Sequence, residues 1–204
     1  MVDFQSRGRR TRDGDEDEDE PEASTETDET EATDEQSEQS GEAETTTEPA
    51  EDEETPSVGV AVVTVADDRT VEDDAAGDAV IEALENHELV TRELLGRSHD
   101  GVQGAVDALV SREDVDGVVT VGGTGIAAHD ITVEAVHPLF EKALPGFGEL
   151  FRRQYYDAVG TDVITTRAAA GIADGTPVFC LPGSAEAARI GTEAIVAEQL
   201  GRLA

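Results

Sequence analysis

The pattern of hydrophobic and polar positions divides the chain into two unlike parts. Residues 1–56 contain almost no aliphatic side chains, whereas residues 57–204 alternate between continuous apolar runs and stretches with apolar residues at helical spacing. A segment that is so poor in apolar side chains cannot bury enough surface to offset the entropy lost on ordering it. We therefore predict a disordered acidic tail over residues 1–56 and one folded domain over residues 57–204.

Continuous apolar runs predict the strands of the domain. Three such runs lie at residues 58–65, 117–121 and 177–181, and residues 88–95 offer a further short strand. An unbroken run rich in β-branched residues is typical of a strand that is covered on both faces in a parallel sheet. Residues 168–171 are expected only to lead into a turn at residues 173–175.

The segments between these runs have apolar residues at helical spacing. Predicted helices cover residues 74–86, 101–111, 132–144, 149–159 and 185–200. Pro138 lies inside the third of them and predicts a kink or a break, and residues 144–148 are predicted to form a loop. Strands that alternate with helices predict an α/β domain with a doubly wound, mostly parallel sheet.

Three polar or glycine-rich loops follow predicted strand ends, at residues 66–70, 122–130 and 182–184. In a doubly wound sheet, the ligand crevice lies beyond the carboxyl ends of the strands. Because neighbouring parallel strands end at the same edge of a sheet, we expect the three loops to face one crevice. The sequence thus predicts a ligand site at this edge.

The glycine loop is the most distinctive of the three, with Gly122, Gly123, Thr124 and Gly125 in succession. Glycine lets backbone N–H groups approach a ligand without an intervening Cβ, and such loops bind phosphate. Asp130 follows at the far rim, and the adjacent His129 is interpreted as a solvent-facing neighbour and not as a proton shuttle. A phosphate cradle beside a carboxylate and a plain tight turn both explain this pattern.

Charge modifies this interpretation of the domain. The chain has 48 acidic and 14 basic residues and a formal net charge of -34, and its first 56 residues hold 23 carboxylates against four arginines. The remaining domain has 25 carboxylates against 10 basic residues, and Lys142 is the only lysine of the chain. An acidic surface with little lysine keeps a protein soluble in concentrated salt, where screening removes self-repulsion. We therefore predict a halophilic protein.

Composition also excludes several classes of function. Cys180 is the only cysteine, so an intramolecular disulfide is impossible, and no Cys/His pair has zinc-ligand spacing, so oxygen atoms would have to hold any metal. No window approaches the about 18 apolar residues of a membrane span, and no signal-peptide core follows the first arginines. The acidic run from Asp13 would repel a phosphate backbone. We predict a cytoplasmic protein that binds neither membrane nor nucleic acid.

Four motifs, in this order and at this spacing, carry a resemblance to a known family. They are GGTGIAAHDITVEA (122–135), PGFGELFR (145–152), VGTDVITTRAAAGI (159–172) and LPGSAEAAR (181–189). Together they resemble the MoaB/MogA family of molybdenum cofactor biosynthesis, over residues 57–204 and not over the tail. The resemblance implies a three-layer α/β/α domain that binds molybdopterin and adenylylates it with MgATP, releasing pyrophosphate before metal insertion.

The resemblance also implies roles for individual residues. Asp130 is similar to the family's essential aspartate and Asp100 to a second acidic position, so both are expected to hold Mg²⁺ and to act in catalysis. Arg167 and Ser184 are expected to contact the phosphate or the pyrimidine ring of the pterin. The ligand-binding positions that the resemblance implies are Asp67, Asp74, Gly77, Gly122, Gly123, Thr124, Gly125, Thr166, Arg167, Gly183 and Ser184.

The partners implied by the resemblance are the substrates ATP and molybdopterin, a downstream metal-insertion enzyme, and further copies of the chain in a trimer or hexamer. The aromatic residues of PGFGELFR are expected at a subunit contact. Two other functions remain open: a molybdopterin-binding module without turnover, and a nucleotide pyrophosphatase similar to competence-damage proteins. The LPGS and PGFGE motifs favour the pterin-binding branch over the pyrophosphatase branch.

Overall fold

The computed structural model describes residues 57–204. The predicted tail over residues 1–56, with its four arginines, lies outside the described residues. Among residues 57–204, no helix combines the length and the apolar character that crossing a membrane requires.

One six-stranded sheet forms the centre of the domain. Its strands are β1 (Gly59–Val65), β2 (Glu88–Leu95), β3 (Gly117–Val121), β4 (Lys142–Ala143), β5 (Ala169–Ala173) and β6 (Thr176–Leu181). Their spatial order is β2-β1-β3-β6-β5-β4. The strands β2, β1, β3 and β6 pair in parallel, whereas β5 pairs antiparallel with β6 and β4 pairs antiparallel with β5. This mostly parallel sheet confirms the predicted α/β class.

Helices cover both faces of the sheet. They are α1 (Ala75–Ala83), α2 (His99–Val110), α3 (Thr132–Val136), α4 (Pro145–Val159), α5 (Ala185–Gly191) and α6 (Ala197–Leu203). Three short 3₁₀ segments lie at Val71–Asp73, His137–Leu139 and Gly160–Thr165. A π-helical segment at Thr192–Val196 joins α5 to α6, so the predicted last helix reaches Leu203.

The side chains of β1 alternate between two apolar clusters, one on each face of the sheet, which explains why the domain has three layers. Val60 and Val62 pack in one apolar cluster with α1, α4, α5 and α6, whereas Ala61, Val63 and Val65 pack in a second cluster with α2 and α3. All five side chains are at most 1% exposed. A strand with apolar side chains on both faces has to be covered on both sides, which produces the α/β/α arrangement.

Two predicted element boundaries in the region 132–159 differ in outcome. The break at Pro138 is confirmed, because α3 ends at Val136 and a 3₁₀ turn follows, but the predicted helix does not resume up to residue 144, because Lys142–Ala143 form β4. The predicted loop at residues 144–148 is wrong, because α4 begins at Pro145. Proline suits the first position of a helix, where its missing N–H would have no intrahelical partner.

The aromatic residues of the PGFGELFR motif lie in the core, and not at an exposed contact surface as predicted. Phe147 is 7% and Phe151 is 0% exposed, and the Phe147 ring packs against Phe179 of β6 with 5.4 Å between centroids. These rings therefore attach α4 to the sheet.

The antiparallel edge of the sheet is the part that the pattern did not predict. Residues 168–171 lead to the predicted turn, but they belong to β5, which pairs with β6. Asp174 (φ 48°) and Gly175 (φ 80°) form the tip of the hairpin, in the left-handed conformations that a tight two-residue hairpin turn requires.

Candidate functional site

A cavity of about 270 Å³ opens at the edge where β1, β3 and β6 end. All three predicted loops contribute to it. Its lining residues are Val65, Ala66, Arg69, Arg97, Gly122, Gly123, Thr124, Gly125, Asp130, Thr165, Thr166, Pro182 and Gly183. The glycine loop, Asp130, Thr166 and Gly183 are thus brought together, whereas the other predicted site residues are not part of this lining.

The glycine loop needs glycine first for its own packing. Gly122 (φ 101°) and Gly123 (φ 65°) both have left-handed backbone conformations. A Cβ on Gly122 would lie 2.6 Å from the carbonyl oxygen of Val65, and one on Gly123 would overlap Oγ1 of Thr132. The Thr132 hydroxyl donates to the Gly122 carbonyl at 2.7 Å, and its backbone N–H donates to the Gly123 carbonyl at 2.9 Å. The loop is therefore a rigid turn and a cavity wall at once.

The Asp130 carboxylate is half-buried at the rim of this cavity. Its Oδ2 accepts the N–H of Ala127 at 3.0 Å, whereas Oδ1 receives no hydrogen bond from residues 57–204. A Cβ on Gly125 would lie 2.5 Å from Oδ2, so this glycine makes room for the carboxylate. His129 is exposed and does not line the cavity. One carboxylate oxygen is thus positioned and the other remains available to a ligand.

Arg167 supports the glycine loop from outside the cavity. Its Nε donates to the Gly125 carbonyl at 2.8 Å and its Nη2 to the Asp130 carbonyl at 3.0 Å. Both Nη atoms also bind the carboxylate of Glu134, and the hydrogen bond from Arg167 lowers the pKa of Glu134. These contacts hold the loop in place, and Arg167 is not among the residues that line the cavity, so its expected contact with the pterin stays a prediction.

Asp74 lies beneath the crevice and not in its wall. Its side chain is 0% exposed and caps α1 by accepting the N–H of Gly77 at 3.1 Å. It also accepts from the Thr64 hydroxyl at 2.6 Å and from Arg92 Nη2 at 3.0 Å. Burial alone would raise the pKa of Asp74, but these hydrogen bonds outweigh it and lower the pKa. Neither Asp74 nor Gly77 lines the cavity, and Asp74 reaches it only through Arg69, 3.6 Å away.

Asp67 and Ser184 flank the cavity without lining it. Asp67 is exposed, and its Oδ1 accepts the backbone N–H of Arg97 at 2.9 Å. The Ser184 hydroxyl caps α5 by accepting the N–H of Ala187 at 3.2 Å. Both side chains therefore fix the backbone of lining loops. Their positions after strand ends predicted the place in the fold, but could not tell this backbone contact from direct ligand binding.

The two aspartates predicted to share a metal ion are not brought together in the cavity. Asp100 lies in the first turn of α2 with its side chain 99% exposed, beside His99 at 3.1 Å. In the range 57–204, no group of three or more His, Cys, Asp or Glu side chains could hold a metal ion. Mg²⁺ commonly takes only one or two carboxylates and completes its shell with water and substrate phosphate. Asp130 alone therefore fits a Mg²⁺ that arrives with a phosphate substrate.

Two cavity-lining arginines were not predicted. Arg69 lies in the loop after β1, and its Nη2 donates to the Gly183 carbonyl at 3.1 Å. Arg97 follows β2, whose carboxyl end lies beside that of β1 in the sheet. Both residues follow strand ends, where the sequence predicts a ligand site. The sequence does not indicate that these two side chains line the cavity.

Comparisons with known proteins agree with the motifs. A family profile described as "Probable molybdopterin binding domain" matches residues 61–202. The molybdenum cofactor biosynthesis protein B of Bacillus subtilis (strain 168) is 39% identical over 141 residues, which are 68% of this chain and 83% of that protein. A crystal structure of a molybdenum cofactor biosynthesis protein B is similar with a TM-score of 0.71 and 37% identity, covering 73% of this chain and 94% of the other. The tungsten cofactor synthesizing protein MoaB from Pyrococcus furiosus has a TM-score of 0.65 and 37% identity, covering 72% and 95%.

Proposed function

The chain belongs to the MoaB/MogA family of molybdenum cofactor biosynthesis, and from this membership we propose that it binds molybdopterin in the crevice beyond β1, β3 and β6 and adenylylates it with MgATP. The observation that carries the proposal is that the glycine loop and Asp130 line one cavity. Relatives named for molybdenum and tungsten cofactors support the pathway.

The reaction requires parts that this cavity offers. An oxygen of the pterin phosphate attacks the α-phosphorus of ATP, a new P–O bond forms, and the bond to the bridging oxygen breaks to release pyrophosphate. In this proposal, backbone N–H groups of the glycine loop, which lines the cavity, bind phosphate oxygens. Mg²⁺, when bound, neutralises the charge that develops on the transferring phosphates.

The task of Asp130 follows from its two oxygens. The Ala127 N–H holds Oδ2, and Oδ1 receives no hydrogen bond from residues 57–204. Asp130 would hold a Mg²⁺ that arrives with the phosphate substrate, and Mg²⁺ would supply neutralisation of the phosphate charge there. Arg167 and Thr132 keep this carboxylate and the glycine loop in register.

The experiment is incubation of the full chain with molybdopterin and MgATP in concentrated KCl. Pyrophosphate release and adenylylated pterin are measured together, because their amounts must be equal if the phosphoryl transfer is as written. The Asp130→Asn variant should lose both products. The matched control is Asp107→Asn, an exposed aspartate of α2 that does not line the cavity.

A molybdopterin-binding module without turnover is the second candidate. The observation in its favour is that Asp130 is the single carboxylate among the lining residues. Stoichiometric binding of molybdopterin by the wild-type chain, without pyrophosphate release at any MgATP concentration, would establish this candidate and reject adenylylation.

We also propose that the chain acts as a homo-oligomer and passes its product to a metal-insertion enzyme. Since the aromatic rings of α4 are buried, the exposed apolar side chains available nearby for a subunit contact are Leu150, Tyr156 and Ile164. Light scattering of the full chain in concentrated KCl would determine the number of copies.

A further inference from the structure

The cavity has a charge opposite to that of the domain around it. Residues 57–204 hold 25 carboxylates against 10 basic residues, yet the lining contains two arginines, Arg69 and Arg97, and one carboxylate, Asp130. An excess of positive charge in a cavity of an acidic protein attracts anions selectively. The ligand group that faces these arginines is therefore expected to be negatively charged.

Arg97 differs from the ion-paired arginines of the domain. Arg92 binds Asp74 and Asp78, and Arg69 lies 3.6 Å from Asp74. Arg97 has no carboxylate within 4.0 Å among the described residues. Its Nε is buried and has no hydrogen-bond partner among residues 57–204, as is also true of Nε of the ion-paired Arg92. A guanidinium that lines an open cavity without a carboxylate partner keeps its charge available, which points to an anionic ligand at this place.

The backbone of Arg97 is held in place while its side chain lines the cavity. Its N–H donates to Asp67 Oδ1 at 2.9 Å, and Asp67 follows β1 in the sequence. The exposed Asp67 thus ties the end of β2 to the end of β1. A fixed attachment point lowers the entropy that is lost when the side chain binds a ligand.

We propose that Arg97, assisted by Arg69, binds a phosphoryl group of the ligand in this cavity. The guanidinium plane offers paired N–H donors that match two oxygens of a phosphate, which an ammonium group cannot do. The inference rests on the proposed function in one respect: both proposed substrates, ATP and molybdopterin, carry phosphoryl groups. Which of them Arg97 contacts is the question that the experiment separates.

The test is isothermal titration of the full chain with inorganic pyrophosphate, ATP and molybdopterin at one KCl concentration. Arg97→Gln removes the charge and keeps much of the length, Arg97→Lys keeps the charge, and Arg153→Gln changes an exposed arginine of α4 outside the cavity. We expect Arg97→Gln to raise Kd about tenfold or more for at least one of the three ligands, as loss of a charge-assisted pair does. Arg97→Lys should recover part of the affinity, and Arg153→Gln should bind as wild type. Circular dichroism of each variant checks that it is folded.

The pattern of losses identifies the ligand group. Weaker binding of pyrophosphate and ATP alone assigns Arg97 to the polyphosphate, and weaker binding of molybdopterin alone assigns it to the pterin phosphate. Equal Kd values of Arg97→Gln and wild type for all three ligands, or no binding of any of them by wild type, would overturn the inference. If wild type binds pyrophosphate in an Arg97-dependent way but forms no adenylylated pterin, the adenylylation proposal fails and this inference stands.

Discussion

Replacement of Asp130 by asparagine tests the centre of the proposed mechanism. The amide keeps one oxygen, which can still accept the Ala127 N–H that Oδ2 accepts at 3.0 Å, so the loop should keep its conformation. What changes is the second oxygen, Oδ1, which is replaced by a neutral amide group, so the side chain loses its negative charge. Binding of the pterin should therefore remain within a few-fold of wild type, and the loss should appear in kcat.

The magnitude follows from the half-buried position of this carboxylate. Two unit charges about 4 Å apart in such surroundings interact with about 4 kcal/mol. Losing about 2.7 kcal/mol of this in the transition state lowers kcat about a hundredfold. Hence we expect a decrease on the order of a hundredfold or more.

Single-turnover measurement of adenylylated pterin provides the rate, and titration with molybdopterin provides the affinity. Asp107→Asn serves as the control for a lost surface charge, since its side chain is exposed and outside the cavity. A folded Asp130→Asn variant that turns over near the wild-type rate would refute the reasoning. A variant that has lost its affinity for the pterin as well would show that the carboxylate acts in the ground state.

Four further predictions concern other parts of the structure. Asp100→Asn should retain turnover within about twofold because its side chain is exposed outside the cavity, and a hundredfold loss would instead support the catalytic role that the family resemblance implies. Thr132→Val should lower the free energy of unfolding in urea by about 1–2 kcal/mol, because the buried Gly122 carbonyl loses its donor; an unchanged urea midpoint would contradict this. Because the pKa of Asp74 is lower in the folded than in the unfolded state, the ionised carboxylate stabilises the fold at neutral pH, and this contribution is lost as pH falls through the folded pKa. The melting temperature of Asp74→Asn should therefore depend less on acid pH than that of wild type, and an equal dependence would count against the assignment. The melting temperature should rise between about 0.1 M and about 2 M KCl as screening removes repulsion among the carboxylates, and a falling melting temperature would contradict the halophilic interpretation.

The pattern of apolar residues along the chain predicted most strands of the sheet but not its antiparallel edge. The runs that became β1, β3 and β6 are long and apolar because both of their faces are covered, and Pro138 ends its helix through its own covalent geometry. β5 consists mainly of small residues, and its pattern carries little information. A Cβ on Gly171 would overlap the ring of Phe140, so this strand depends on a contact with a distant residue.

The crevice itself could be predicted because it follows from topology. Once the apolar runs specify parallel strands, their carboxyl ends share an edge, and the loops that carry Gly123, Asp130 and Gly183 have to meet there. Family motifs then added the chemistry of molybdopterin to this location. Both inferences use information that is contained in short, contiguous segments of the chain.

Which polar side chains face the cavity was decided only by the tertiary structure. Asp74 was expected at the ligand and is instead buried against Arg92, 18 positions away, and Arg167 is bound to Glu134, 33 positions away. Arg97, which no motif marked, occupies the cavity wall without an ion-pair partner among residues 57–204. The physical reason is that hydrophobic periodicity is a property of neighbouring residues, whereas a charged side chain takes its position from whichever partner folding brings within a few ångströms.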